Sequence, residues 1–98
     1  MKQMNLDEFY RASATLDSKL TLLISKDEHF IPINQLTRDD HVLFLGSVSK
    51  SQSGTATITL DQFMTRTRLL PAQTNLRTSN NHQLVFGFRI VNKSIVFY

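Results

Sequence analysis

The stretch Leu84-Val85-Phe86-Gly87-Phe88-Arg89-Ile90-Val91-Asn92-Lys93-Ser94-Ile95-Val96-Phe97-Tyr98 closes the chain and decides the reading of its fold. Two runs rich in β-branched and aromatic residues flank Asn92-Lys93. They predict strands over about 84–91 and 94–98, joined by a two-residue hairpin turn. Leu84, Phe86, Phe88 and Ile90 alternate onto one face, with Gly87 and Arg89 on the other. The last strand is apolar on both faces up to Tyr98. It is therefore expected inside a sheet, or covered by a helix or a second subunit. If another subunit covers it, Ile95, Val96, Phe97 and Tyr98 form the interface.

Upstream of this hairpin the chain turns polar. From Pro71 to Gln83 only Ala72 and Leu76 are apolar, so residues 71–83 read as a loop, of a length that is usually functional or disordered. Before it, Thr59-Leu60-Asp61-Gln62 matches a capping box, and Leu60, Phe63, Met64, Thr67 and Leu70 keep helical spacing. A short helix over about 60–69 follows, with Pro71 as its stop. Thr55-Ala56-Thr57-Ile58-Thr59 alternates like a half-buried strand, and residues 49–54 hold no apolar side chain and read as a hairpin loop.

At the other end, Asn5-Leu6-Asp7-Glu8 is a second capping box, with Met4 and Phe9 placed for a hydrophobic staple. Helix is expected over about 6–15. Strands follow over about 19–25 and 41–48. Pro32 limits Phe30-Ile31-Pro32-Ile33 to an edge strand, and residues 34–40 read as turn. The order of elements predicts a single α+β domain over residues 1–98. It has two layers: an N-terminal helix, a mostly antiparallel sheet of five to six strands, and a second short helix. A small all-β barrel is the alternative.

Charge is unevenly spread along the chain. Residues 1–61 carry six bases against eight acids, whereas residues 62–98 carry Arg66, Arg68, Arg77, Arg89 and Lys93 and no acid. The whole chain has a net charge of +3. Such asymmetry points to an electrostatic role for the basic part. Those five bases are the candidate nucleic-acid-binding residues, because cationic donors on neighbouring segments contact phosphates. Phe86-Gly87-Phe88 with Arg89 echoes the centre of an RNA-binding sheet signature. Leu84 and Val85 stand where that signature needs a base and a glycine, so no family is assigned.

Several chemistries find no support in the residues. With no cysteine, the chain offers no disulfide, thiol nucleophile or thiolate metal site. No serine sits in a nucleophile elbow, and three glycines are too few for a phosphate-cradling loop. Ser25-Lys26-Asp27-Glu28-His29 and Thr37-Arg38-Asp39-Asp40-His41 repeat one pattern of hydroxyl, base, acid, acid and histidine. Carboxylates and imidazoles can ligate metals, but the simpler reading is two polar turns at different ends of a meander. The expectation is therefore a cytoplasmic, non-enzymatic binding protein, with no cofactor, metal or membrane contact. Its basic C-terminal part meets nucleic acid or another polyanion. The alternative is a protein-interaction or homodimeric module built on the apolar hairpin.

Overall fold

The computed structural model describes residues 3–26, 28–47, 57–79 and 83–98. The loop expected over 49–54, the start of the strand expected over 55–59, and His82 lie outside the described residues. Among the described residues, two helices and seven strands follow one another as α1 (Leu6–Ala12), β1 (Thr21–Lys26), β2 (His29–Pro32), β3 (Gln35–Asp39), β4 (Val42–Gly46), α2 (Leu60–Thr67), β5 (Asn75–Thr78), β6 (Phe88–Val91) and β7 (Ser94–Phe97).

Both helices start as their sequences dictate. The Asn5 side chain accepts from the Glu8 N–H at 2.9 Å, and the Glu8 carboxylate accepts from the Asn5 N–H at 3.0 Å. Two orphan donors of the first turn are thereby satisfied. At α2 the Gln62 side chain accepts from the Thr59 N–H at 3.0 Å, while the Thr59 hydroxyl donates to Asp61. α1 is shorter than expected because Ser13 closes it. The Ser13 N–H and hydroxyl both donate to the Phe9 carbonyl, at 2.9 and 2.7 Å.

The mixed α+β class holds, but the strands divide between two sheets, and neither closes into a barrel. The four-stranded sheet has the order β2-β1-β7-β6, and the three-stranded sheet the order β3-β4-β5. Three pairings are antiparallel (β1 with β2, β3 with β4, β6 with β7), and two, β1 with β7 and β4 with β5, are parallel. The Pro32 strand lies at an edge, where its missing donor is harmless. The last strand lies inside its sheet, between β1 and β6.

Four sequence expectations need correction. Of the strand expected over 55–59, the described residues 57–59 form none: the Ile58 N–H donates to the Ile33 carbonyl, its carbonyl accepts from the Leu22 N–H, and Thr59 makes a lone bridge to Thr21 before capping α2. Residues 75–78 form β5 within the expected loop, because β4 supplies a parallel partner in the register Val42–Asn75 to Leu45–Thr78. Residues 35–39 form β3 within the expected turn, paired with β4 from Gln35–Gly46 to Asp39–Val42. Neither strand is apolar enough to announce itself; pairing outweighs propensity. The long strand expected over 84–91 is split. Leu84 bridges Arg77 in the three-stranded sheet, and the chain then crosses to the other sheet as β6.

One core joins the sheets and helices. Leu22, Ile24, Ile95 and Phe97 come to it from one sheet, Leu43, Leu45 and Leu76 from the other, and Leu6, Phe9, Leu60 and Phe63 from the helices. Phe9 is its hub, with ring centroids 5.2 Å from Phe63, 5.3 Å from Phe88 and 5.1 Å from Phe97. These separations suit aromatic packing, and the first two contacts are edge-on.

Candidate functional site

The five bases singled out by charge do not form one patch. Arg66 and Arg68 are exposed at the C-terminal end of α2. Arg77 is half-buried on β5. Its neighbours Leu76 and Thr78 point into the core, so it lies on the outer face of the three-stranded sheet. Arg89 is exposed on β6 and opposite Val96, and Phe88 beside it packs on Phe9, so Arg89 lies on the outer face of the four-stranded sheet. Lys93 is exposed in the β6–β7 turn. The chain crosses between the sheets at Val85–Phe86, which separates Arg77 from Arg89 and Lys93, and Arg66 and Arg68 lie apart at the end of α2.

The expected interface residues are also divided. Ile95, Val96 and Phe97 are 0% exposed within the chain itself, so the fold's own neighbours cover them. Tyr98 alone remains, at 56% exposed.

Strand register locates a second exposed aromatic on the same face, two strands away. Ile31 pairs with buried Ile24, so Phe30, one residue earlier, faces outward and is 45% exposed. Phe30 pairs with Ser25, and Tyr98 follows Phe97, the partner of Ile24. One row across the outer face therefore reads Phe30, Ser25, Tyr98, Gly87. Two strand spacings put Phe30 and Tyr98 about 10 Å apart across the sheet. The next row reads Pro32, Leu23, Val96, Arg89.

Gly87 makes room for the platform. A Cβ at that position would stand 2.9 Å from the Tyr98 hydroxyl oxygen, so the hydroxyl end of the tyrosine passes close over the glycine. The Tyr98 backbone holds it there: its carbonyl accepts from the Phe86 N–H at 2.8 Å, and its N–H donates to the Gly87 carbonyl at 3.1 Å. The four strands of this sheet contain Lys26 and Arg89 and no acid; Glu28 is in the β1–β2 turn. Such a face can stack planar groups on its aromatics and attract anions beside them.

Sequence reasoning chose Arg89, Lys93 and Tyr98, the last for a different reason, and missed Phe30. The signal was present. An edge strand with Ile31 inward must turn Phe30 and Pro32 outward.

Elsewhere the chemistry is sparse. The two acid–acid–histidine motifs are hairpin turns on different sheets, with Glu28 at φ 67° and Asp40 at φ 57° in equivalent places. His41 Nε2 lies 3.6 Å from Asp40 Oδ1, and both side chains are exposed. Among the described residues no three histidine or acidic side chains converge as a metal site. The Thr59 hydroxyl holds the Asp61 carboxyl below its ordinary pKa, and Asp61, Gln62, Thr65 and Arg66 line an open depression along one side of α2. None of the described helices is long and apolar enough to cross a membrane. The chain matches no family model, no curated protein and no solved structure.

Proposed function

We propose that this protein is a non-enzymatic binder of single-stranded nucleic acid that uses the outer face of its four-stranded sheet. The observation that carries the reading is the pair of exposed aromatics, Phe30 and Tyr98, two strand spacings apart on one face of a sheet whose strands hold no acid, with Arg89 in the next row. Bases stack on Phe30 and Tyr98, an interaction that tolerates any sequence because every base has a π-face. Arg89 and Lys93 contact phosphates and supply the salt dependence. Arg66, Arg68 and Arg77, which lie elsewhere, add only long-range attraction, and salt screens it.

The chain has no tryptophan and two tyrosines, so Tyr98 is its own probe once Tyr10 is changed to phenylalanine. Titrating a Tyr10→Phe chain with oligothymidine should quench the remaining tyrosine emission, whereas duplex of equal length should quench it far less. Phe30→Ala and Tyr98→Ala should each weaken binding by about 1–3 kcal/mol, or roughly 5- to 150-fold, the range for loss of one stacking platform. Arg89→Ala should reduce the slope of log K against log salt by about 0.7. Absence of quenching at millimolar protein and low salt rejects the reading. If Tyr98→Ala instead abolishes concentration-dependent self-association in sedimentation, the face belongs to a protein partner.

A further inference from the structure

The second half of the chain repeats the bonds and strand pairings of the first. Residues 4–25 correspond to 58–79, 54 positions later, and residues 31–46 correspond to 83–98, 52 positions later. The difference of two falls between residues 25 and 31 in the first copy and between residues 79 and 83 in the second. The helix starts show it most plainly: Leu6-Asp7-Glu8-Phe9 against Leu60-Asp61-Gln62-Phe63, each with its capping residue one position earlier. The Ser13 hydroxyl donates to the Phe9 carbonyl at 2.7 Å, and the corresponding Thr67 hydroxyl donates to the Phe63 carbonyl at 2.8 Å.

Strand register repeats as strictly. The parallel pairs Thr21–Ser94 and Leu22–Ile95 transform into Asn75–Val42 and Leu76–Leu43, which are the pairs observed. The hairpin pairs Arg38–Leu43 and Leu36–Leu45 transform into Ile90–Ile95 and Phe88–Phe97, again as observed. The left-handed turn residues Asp40, at φ 57°, and Asn92, at φ 55°, coincide.

Bonds between the halves come in reciprocal pairs. The Leu22 N–H donates to the Ile58 carbonyl at 3.0 Å, and the Leu76 N–H to the Met4 carbonyl at 3.1 Å. The Leu60 N–H donates to the Leu20 carbonyl at 2.8 Å, and the Leu6 N–H to the Thr74 carbonyl at 2.9 Å. Phe9 meets its own counterpart, Phe63. Each of these backbone bonds from first half to second has a partner running from second to first, as in an isologous two-fold interface; the Tyr10–Thr67 hydroxyl bond has none, because Met64 stands at the place of Tyr10.

The halves are also interlocked. β1 and β2 complete their sheet with β6 and β7 of the other half, and β5 completes its sheet with β3 and β4. Neither half builds either sheet from its own strands. We propose that the protein is a fused, hairpin-exchanged pair of one α-β-β-β-β unit. The surface by which each half holds the other is then a homodimer interface whose fitting partner is a second copy of that unit.

This equivalence makes a demand on the termini. Tyr98 occupies the place of Gly46, and Met4 the place of Ile58, so the gap from Tyr98 to Met4 must equal the gap from Gly46 to Ile58. Residues 47–57 bridge the second gap and should bridge the first. The test is a circular permutant that runs from Ile58 to Tyr98, through a copy of residues 47–57, and then from Met4 to Gly46. It should elute as the parent does, with the parent's far-ultraviolet circular dichroism and one cooperative transition. An unfolded or differently assembled permutant overturns the proposal. Shortening the bridge stepwise in parent and permutant gives a second measurement, and both should lose stability at the same length. A permutant that tolerates a two-residue join when the parent does not, or the reverse, also overturns it.

Discussion

Asn5 and Phe9 show how much single side chains decide here. Asn5 satisfies a donor that α1 would otherwise leave bare, and Asn5→Ala should cost about 0.5–2 kcal/mol in urea unfolding. An unchanged midpoint would mean that the cap contributes nothing. Phe9 touches Phe63, Phe88 and Phe97 at once, so Phe9→Ala should be far more damaging, about 3–5 kcal/mol, because the cavity opens where both helices and a sheet meet. At Asp61 the effect depends on pH. Its carboxyl is held below its ordinary pKa, first by the Thr59 hydroxyl, so its stabilisation is present above the unfolded carboxylate pKa and disappears as pH falls through the lowered folded value. Asp61→Asn should flatten that acid-side decline, with a small effect because the group is fully exposed; a steeper decline would contradict the assignment.

Legibility varied among the elements for physical reasons. The helix starts were readable because capping is local chemistry, and so was the final hairpin, whose two runs are dense in strand-forming residues. β3 and β5 were not. Gln35-Leu36-Thr37-Arg38-Asp39 and Asn75-Leu76-Arg77-Thr78 each hold a single apolar residue, and each is a strand only because β4 lies between them. The basic segments were readable as charge but not as a surface, since nothing local marks the crossing between sheets at Val85–Phe86. Phe30 could be assigned a face from sequence, whereas Tyr98, two strands away on that face, required a parallel register between residues over seventy positions apart. β7 is central, so removing Ile95–Tyr98 should abolish cooperative unfolding altogether rather than trim an end. A shortened chain with a sharp transition would contradict that placement.

At the scale of the whole molecule, duplication and binding meet in one asymmetry. The two sheets are counterparts, yet Tyr98 on one corresponds to Gly46 on the other, and exposed Arg89 corresponds to Thr37. The fold thus offers two equivalent outer faces, of which only the four-stranded one carries Tyr98 over a glycine. The three-stranded face, with Thr37, Phe44 and Arg77, serves as an internal control for the other. The most direct test of the account is an amide chemical-shift map of the labelled chain titrated with oligothymidine at low salt. The account predicts saturable shifts at Ser25, Phe30, Arg89 and Tyr98, with Thr37, Phe44 and Arg77 unmoved. Shifts centred on the three-stranded face or on the end of α2, or none at any concentration reached, would contradict it.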